Sequence, residues 1–260
     1  MKINRIIYVA IVILFAQGTI AWSQISDEKW DLMLIREDKV YPSMTDEYEM
    51  TLADIKEYVE EKKVKGINYF TYMQDDYIFA RVMPIHQLKD LKDGIFEYVE
   101  KKVNDPEFTL MTEYVNEAIA SYRYYIVQYK RDLSYIPEGD DWAEGSPYRK
   151  WSYYYFKPGT EDEVESVLAS YKQLYEKRGV KMGFRVFKGF IGIEQPVYLL
   201  NTWAEDPLDY HQNLQEVSEI LGEEGMALWS KMISYADEVV AVEGWYLQQY
   251  SVTYGLKLEE

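Results

Sequence analysis

The chain has 260 residues, 48% of them hydrophobic, which is enough to bury a large core in one large or two small domains. Its formal net charge of −17 disfavours nucleic acid and anionic lipid headgroups, because both need a basic surface to bind. The sequence contains no cysteine, which excludes a disulfide framework and attachment of lipid to a cysteine.

The first residues have the pattern of a secretory signal. Lys2 and Arg5 precede an apolar run over 6–16, and small residues suited to a cleavage site follow at 21–23. A polar break directly after the run makes it too short for a membrane anchor, which needs about 20 apolar residues. We therefore predict a signal peptide over 1–23, no membrane span after its removal, and a periplasmic or extracellular protein of bacterial origin.

The segment 24–131 has the element order of one βαββαβ unit. An apolar-rich strand over 30–40 comes first. A helix is then expected to begin at Thr51, with Asp54 completing an N-cap pattern, and to end at Gly66. The remaining predicted elements are a two-stranded hairpin, two helical stretches and a closing strand, over 67–73, 77–83, 88–99, 110–115 and 122–129.

The second half has the same element order. Residues 132–149 combine Pro, Gly and Asp without periodicity, which predicts a connector between units. After a strand over 151–156, Thr160 and Glu163 have the spacing of a capping box, at the start of a helix that Gly179 ends. Two strands, two helical segments and a last strand follow, over 184–187, 197–203, 208–221, 226–233 and 239–250.

The two halves are also similar in sequence. Lys29-Trp30 opens the first strand, and Lys150-Trp151 opens the corresponding strand of the unit over 150–260. A βαββαβ unit forms an antiparallel sheet with helices on one face and leaves its other face apolar. We therefore predict an α+β fold of two tandem ferredoxin-like repeats whose sheets pack face to face, as a pseudo-dimeric α+β barrel.

Two segments of the second half resemble NIPSNAP-like members of the dimeric α+β barrel superfamily. They are Tyr153-Tyr154-Tyr155-Phe156-Lys157-Pro158-Gly159 before a long amphipathic helix, and Leu200-Asn201-Thr202-Trp203 before Asp206-Pro207-Leu208-Asp209. The wider superfamily includes antibiotic-biosynthesis monooxygenases and haem-degrading enzymes, so the resemblance implies a barrel with an interior or inter-sheet cavity. Its haem-degrading members place an axial histidine along the second helix, where this chain has none over 88–120 or 213–236. We therefore predict no cofactor.

The two histidines are the candidates for catalysis. His86 and His211 both follow a proline closely, Pro84 and Pro207, near the start of the second helix of their unit. Each could act as a proton donor or ligand at the mouth of a cavity, or could be a solvated residue at a helix start. With no cysteine and two distant histidines, no metal site is predicted.

Aromatic residues and arginines in the predicted strands are the candidates for ligand binding. The chain has 26 Tyr and 7 Trp, which could line a pocket for a flat ligand or could build the core between the sheets. An arginine in a strand must face solvent, pair with an acid or meet an anionic ligand. The predicted ligand-binding residues are Tyr125, Tyr153, Tyr155, Arg123, Arg185 and Trp203.

Three functions are compatible with these patterns. The favoured one is a secreted protein that binds a small, partly aromatic or amphipathic molecule in a barrel or inter-sheet cavity, because no catalytic set is visible. One alternative, by family analogy, is a cofactor-independent monooxygenase-like enzyme that uses His211, Trp203 and tyrosines. The second alternative is a non-catalytic interaction protein of the cell envelope. The sequence makes no prediction about self-association.

Overall fold

The computed structural model describes residues 32–64, 68–85, 88, 103–138 and 146–253. The predicted signal peptide, Gly66, His86 and the predicted helix beyond residue 88 lie outside these ranges. The strands are β1 (Leu32–Val40), β2 (Phe70–Gln74), β3 (Ile78–Ile85), β4 (Ile119–Tyr129), β5 (Tyr148–Phe156), β6 (Arg185–Ile191), β7 (Val197–Ala204) and β8 (Ala236–Tyr246). The helices are α1 (Thr45–Glu61), α2 (Pro106–Glu117), α3 (Glu161–Arg178) and α4 (Pro207–Tyr235).

The eight strands form one closed antiparallel barrel in the order β1-β3-β2-β8-β5-β7-β6-β4. The first four strands are ordered β4-β1-β3-β2 and the last four β8-β5-β7-β6. The two sets join edge to edge, through β2 with β8 and β4 with β6. The predicted α+β barrel is confirmed. The predicted packing of two separate sheets face to face is wrong, because the strands form one closed sheet. Pairing at both seams satisfies backbone groups that open sheet edges would expose.

Side chains alternate between the barrel interior and the helix-covered outer face of the sheet. Separate buried clusters lie on the outer face, one beneath α1 and α2 and two beneath α3 and α4. The interior is packed by a buried cluster to which all eight strands contribute: Ile35, Tyr72, Ala80, Val82, Tyr125, Val127, Tyr129, Trp151, Tyr153, Phe187, Val197, Leu199 and Tyr246. The core is therefore layered, with one part inside the barrel and the rest between sheet and helices.

Helix α1 begins six residues before the predicted start, at Thr45. Thr51 lies inside the helix, where its hydroxyl donates to the carbonyl oxygen of Glu47 at 2.7 Å. Asp46 and Glu47 occupy the first turn, where negative charge is stabilised by the helix dipole. The prediction of an N-cap at Thr51 is therefore wrong. Thr and Ser hydroxyls inside helices commonly bond the carbonyl four residues back, so a hydroxyl alone does not mark the start of a helix.

Helix α3 begins and ends where the sequence predicts, but one of the two predicted signals is wrong. Gly179 ends the helix in the left-handed conformation, with φ of 63°. The Thr160 hydroxyl does not cap the helix. It donates to the carbonyl of Lys157 at 2.8 Å, within the turn that precedes the helix.

Helix α4 contains a sharp bend at the point where the sequence separates two helical segments. Gly222 has φ of 56° and ψ of −144°, which interrupts the helix and which other residues adopt only with strain. Strand β8 begins at Ala236 and ends at Tyr246, earlier than predicted, and a 3-10 turn follows over Gln248–Tyr250. No helix in the described ranges is long and apolar enough to cross a lipid bilayer.

Glu165 ties α3 to the sheet. Its carboxylate accepts hydrogen bonds from Tyr198 on β7 at 2.6 Å, Lys188 on β6 at 2.9 Å and Lys130 after β4 at 3.1 Å. Partial burial acts to raise the pKa of Glu165, but these hydrogen bonds outweigh that effect and lower the pKa to about 2.

Replacing Glu165 with Gln is expected to lower the free energy of unfolding by about 1–2 kcal/mol near neutral pH. A depressed pKa in the folded state gives stability that is present above the ordinary pKa of 4.5 and is lost as the pH falls to about 2. Urea unfolding of wild type and variant over this range should show the difference shrinking on acidification. Asp162→Asn removes an exposed carboxylate from the same helix. An equally large effect of that control would contradict the prediction.

Candidate functional site

A cavity of about 490 Å³ lies between the outer face of the sheet and helices α3 and α4. This volume is within the usual range for small-molecule sites. The sheet contributes side chains from β5 and β7 to its floor, and the two helices form its walls with mostly apolar side chains. The residues that line the cavity include Lys150, Ser152, Tyr154, Leu168, Tyr171, Tyr175, Leu200, Thr202, Tyr210, Leu214, Ser218, Met226, Trp229 and Met232.

The bend at Gly222 shapes the mouth of the cavity. Leu214 lines the cavity from the part of α4 before the bend, and Met226 and Trp229 line it from the part after the bend. These three side chains are 39%, 58% and 44% exposed, which is unusual for large apolar residues clustered around one opening. At the other end, Leu168 and Met232 are almost completely buried. The cavity thus runs from an apolar, solvent-accessible mouth to a closed floor.

The register of the strands explains why the sheet leaves space for a cavity beneath α3 and α4. A bulge follows Lys39 where β1 pairs with β4, and a bulge follows Tyr155 where β5 pairs with β8. When the two bulges are aligned, Ser152 is equivalent to Arg36 of the first half, and Tyr154 is equivalent to Asp38. Leu200 pairs with Ser152 across the sheet, as Arg81 pairs with Arg36, so Leu200 is equivalent to Arg81. Small or neutral side chains thus replace three charged ones.

In the first half, that outer face of the sheet carries a buried ionic cluster. The Arg36 Nε atom donates to Asp38 Oδ1 at 2.5 Å, and Arg81 Nη2 donates to Asp38 Oδ2. The Tyr48 hydroxyl of α1 donates to the same Oδ2 atom at 2.9 Å. Burial raises the pKa of Tyr48 well above its usual value, so this hydroxyl stays a donor.

The polar groups of the cavity are mostly neutral hydroxyls. The Tyr171 hydroxyl donates to the carbonyl of Gly225 at 2.9 Å, which fixes α3 to α4 just after the bend. Burial raises the pKa of Tyr154 to about 12, and it also raises the pKa values of Tyr171, Tyr175 and Tyr210. These side chains are therefore protonated at neutral pH. The hydroxyls of Tyr154, Tyr175 and Tyr210 can donate to a ligand, whereas that of Tyr171 already donates to Gly225.

One lining residue carries a charge. The Lys150 ammonium donates to Glu243 Oε1 at 2.7 Å and lies 5.4 Å from the ring centroid of Tyr210. Since this charge is paired with Glu243, the cavity as a whole suits a neutral, largely apolar molecule with one or two oxygen atoms that accept hydrogen bonds.

Four of the predicted ligand-binding residues lie on the barrel side of the sheet, away from the cavity. The Tyr125 hydroxyl donates to Glu37 Oε1 at 2.6 Å and lies 2.9 Å from the Tyr153 hydroxyl. Arg123 pairs with the other carboxylate oxygen of Glu37. Tyr155, partly buried, packs against the same interior cluster. Burial raises the pKa of Tyr125 well above its usual value. At this end of the barrel, hydrogen bonds link Arg123, Glu37, Tyr125 and Tyr153 to one another.

The other two predicted residues lie at the opposite end of the barrel. Arg185 is stacked on Trp203, with 5.5 Å between the guanidinium carbon and the ring centroid. His211 is exposed on the first turn of α4, with its ring 5.7 Å from that of Tyr210, and does not line the cavity. The structure therefore divides the predicted site residues among places that are not adjacent.

The cavity itself was not identifiable from strand aromatic residues, although two weaker signals mark it. Ser152 is the one small residue in a run of bulky side chains along β5. Gly222 interrupts a helix that is otherwise apolar on one side, and Gly225, Met226 and Trp229 follow within the next two turns. A small residue on a strand opposite a broken helix indicates unfilled space between the two.

Solved structures share this fold. No protein-family model and no curated protein matches the chain. A protein from Lactobacillus acidophilus described as a "putative monooxygenase" matches with a TM-score of 0.57 and 8% identity, over 87% of this chain and 97% of that one. A mutant chlorite dismutase from Candidatus Nitrospira defluvii matches with a TM-score of 0.52 and 10% identity, over 85% and 93% of the two chains. At such identities the likeness shows the fold alone, which is a closed antiparallel α+β barrel.

The prediction that the protein uses no cofactor is wrong. It rests on missing sequence motifs, yet the similar structures include the chlorite dismutase, which is a haem-dependent enzyme. Haem is ligated through side chains that a motif search does not capture when the fold brings them together from distant segments.

The cavity can be compared with what haem requires. Its volume and apolar walls suit a flat macrocycle, which also needs an axial ligand for iron, usually His, Cys, Met or Tyr. Among the described lining residues, methionine and tyrosine are the available types, with Met226 and Met232 facing the cavity. Because burial keeps the tyrosines protonated, a methionine is the better candidate to hold iron here.

Proposed function

We propose that this protein binds a small, largely apolar and partly aromatic molecule in the cavity between the sheet and helices α3 and α4. The observation that carries the proposal is the cavity itself, about 490 Å³ in volume, with an exposed apolar mouth and a buried floor. The aromatic walls provide stacking surface, and the protonated tyrosines provide hydrogen bonds to ligand oxygen atoms.

A neutral aromatic dye tests this proposal without knowledge of the natural ligand. Phenylnaphthylamine becomes strongly fluorescent in apolar surroundings, and we expect saturable binding to one site with a dissociation constant on the order of micromolar. Trp229→Ala removes one wall of the mouth and should weaken binding about tenfold. Trp245→Ala, a control, removes an exposed tryptophan on β8 that does not line the cavity. Dye binding that is unsaturable, or equally weakened in both variants, would contradict the proposal.

A second candidate function is that of a cofactor-independent monooxygenase-like enzyme acting in the same cavity. It is supported by the shared fold with the monooxygenase-like protein from Lactobacillus acidophilus and by hydroxyl donors that could contact a substrate oxygen. Since His211 and Trp203 do not line the cavity, the tyrosines would carry this role. Oxygen uptake on addition of a phenolic ligand, measured with an electrode, would support the enzyme; binding without uptake would leave a binding protein.

Haem is tested as a ligand of the same cavity. Hemin added to the purified protein should give a saturable shift of its Soret absorbance if the cavity holds it. Met232→Leu, which keeps the volume of the side chain, would then change the spectrum if this residue ligates iron. An unshifted hemin spectrum would leave an organic ligand without metal as the occupant.

We also propose that the two halves are tandem ferredoxin-like repeats and that the protein is a secreted, NIPSNAP-like pseudo-dimer. The repeat is supported by the equivalent strand orders and by the matching bulges after Lys39 and Tyr155. Secretion to the periplasm or beyond is supported by the signal-like pattern over 1–23. N-terminal sequencing of the protein from its natural host would test it, with cleavage after Ser23 expected.

A further inference from the structure

Strand β8 extends beyond the strand that pairs with it at the barrel seam. Along one edge, β5 pairs with β8 from Ala236 to Trp245. Along the other edge, β2 pairs only with the last residues of β8, from Gly244 to Tyr246, and then turns into β3. In the described part of the chain, no strand pairs with this second edge over 237–242. We call this segment the open edge of β8.

The direction of the backbone groups in the open edge follows from one hydrogen bond at the seam. The carbonyl of Glu243 accepts from the N–H group of Asp75 at 3.3 Å, so the backbone groups of Glu243 point away from β5. Because this direction repeats at every second residue of a strand, those of Val239 and Ala241 also point away from β5. Among the residues that the structure describes, none hydrogen-bonds to them. They form a row of donors and acceptors to which another extended chain can pair.

The side chains of the open edge are exposed and mostly apolar. Val239 and Val240 are 44% and 38% exposed, and they lie on opposite faces of the strand. Ala241 is exposed as well. Natural strand edges are commonly protected by charged residues, proline or a bulge, and the residues over 239–242 include none of these. A strand added here would therefore cover apolar side chains on both faces as well as the unpaired backbone groups.

The equivalent strand of the first half is covered at the same place. β4 also extends past its seam partner, since β6 pairs with it only over Ile126–Tyr129. In the loop over 192–196, which joins β6 to β7, Gly192 lies against β4 so closely that a Cβ atom would come within 2.8 Å of the Tyr124 carbonyl oxygen. The shorter loop over 75–77, which joins β2 to β3, bonds to β8 only at the seam. The open edge is thus a difference between the two halves and not a general property of the fold.

Acidic residues lie at both ends of the open edge. Asp237 and Glu238 are exposed at its start. At its other end, Asp75 is exposed beside Glu243, whose charge is offset by Lys150. A second copy of the chain paired through this edge, in either direction, would bring acidic residues of the two copies together, and each copy carries a formal net charge of −17. The charges therefore disfavour a second copy and favour a basic partner.

We propose that the open edge of β8 binds an extended peptide segment of another protein, with apolar residues in its middle and a lysine or arginine at each end. The segment pairs with the backbone of Val239 and Ala241 as an added strand, and its apolar side chains pack on Val239 and Val240. Residues 237–243 span roughly 20 Å at about 3.3 Å per residue, which suits a partner segment of about six residues. The proposal is independent of the ligand cavity, because no described residue of β8 lines that cavity.

A synthetic hexapeptide, acetyl-Lys-Val-Thr-Val-Thr-Lys-amide, serves as the probe. It is titrated into the ¹⁵N-labelled protein at low salt while backbone amide signals are followed by ¹H–¹⁵N NMR. We expect saturable shifts of the Val239 and Ala241 amide signals, with a dissociation constant on the order of 100 μM. The same peptide with its four central amides N-methylated keeps the charges and side chains but lacks those donors, so it should bind at least about tenfold more weakly. Equal binding of the two peptides would overturn the proposal.

Val239→Pro tests the protein side of the pairing. Proline removes the N–H group that faces the partner, and pairing with β5 does not use that group. This variant should bind the peptide at least about tenfold more weakly than the wild type. Val239→Thr, the matched control, keeps the N–H group and the branched side chain, so it should bind within about threefold of the wild type.

The position of the shifts and the oligomeric state decide against the alternatives. Peptide-induced shifts confined to residues outside β8 would overturn the proposal. A dimer that forms with rising protein concentration in light scattering and is abolished by Val239→Pro would also overturn it, because a second copy would then occupy the edge. If Val239→Pro does not fold, the N-methylated peptide still tests the pairing, since it is measured on the wild-type protein.

Discussion

Replacing Asp38 with Ala is expected to lower the free energy of unfolding by about 3–5 kcal/mol. Asp38 is fully buried and accepts hydrogen bonds from Arg36, Arg81 and Tyr48. Without the carboxylate, two buried guanidinium groups on the same sheet face lose the anion between them. Breaking a buried ion pair by removing one partner is costly because a buried charge is left without its counter-ion. Urea unfolding followed by circular dichroism measures the effect.

Asp76→Ala is the control for this experiment. Asp76 pairs with Lys39 at 2.6 Å, but the two side chains are 69% and 49% exposed. Exposed ion pairs contribute about 0–1 kcal/mol, so this variant should be almost as stable as the wild type. Similar losses of stability in the two variants would contradict a structural role for the ionic cluster beneath α1.

Replacing Ser152 with Phe is expected to weaken binding of phenylnaphthylamine about 100-fold, equivalent to about 2.7 kcal/mol. Ser152 lies on the cavity floor opposite Leu200, and its side chain faces α3 and α4. A phenyl ring at this position occupies the space that the dye needs. It also buries new apolar area against the walls, so the free energy of unfolding should be unchanged or higher. Fluorescence titration and urea unfolding measure the two quantities.

Ser166→Phe is the matched control, because Ser166 is exposed on α3 and does not line the cavity. It introduces the same ring without filling the space. Dye affinity should remain that of the wild type. If Ser152→Phe bound the dye as tightly as Ser166→Phe, the dye would have to bind elsewhere on the protein.

Local chemistry made several elements predictable from the sequence. Gly179 marks the end of α3 because only glycine adopts its left-handed conformation without strain. The start of α1 was not predictable in the same way. Its first turn is set by a 3-10 turn over Pro42–Met44 and by burial of Tyr48, and a hydroxyl at Thr51 is equally compatible with the helix interior.

Barrel closure depends on contacts that a linear pattern does not contain. The seams join β2 to β8 and β4 to β6, pairs of strands far apart in the chain. The bulges also change how the halves correspond. When the bulges are aligned, Trp151 is equivalent to Ile35 of the first half. The sequence similarity of Lys29-Trp30 and Lys150-Trp151 would instead make Trp151 equivalent to Trp30. Register is fixed by pairing across the sheet, which sequence similarity between halves does not report.

The candidate site was predictable only in part. The spacing of Tyr153 and Tyr155 correctly places them on one face of β5, but alternation along a strand does not tell which face meets a cavity. The cavity lies on the other face, where it depends on the small side chain of Ser152 and on the bend at Gly222. Empty space results from the packing of several elements together, so it has no signature in any one of them.

The most direct test of the proposed function is a crystal of the wild-type protein soaked with iodophenol, in which anomalous scattering locates the iodine atom. Iodophenol is small, neutral and aromatic, and its hydroxyl can exchange hydrogen bonds with the cavity tyrosines. The structure predicts an iodine site between the floor at Ser152 and the mouth at Trp229. Iodine found only on the protein surface or inside the barrel, with the space beneath α3 and α4 left to water, would contradict the proposal.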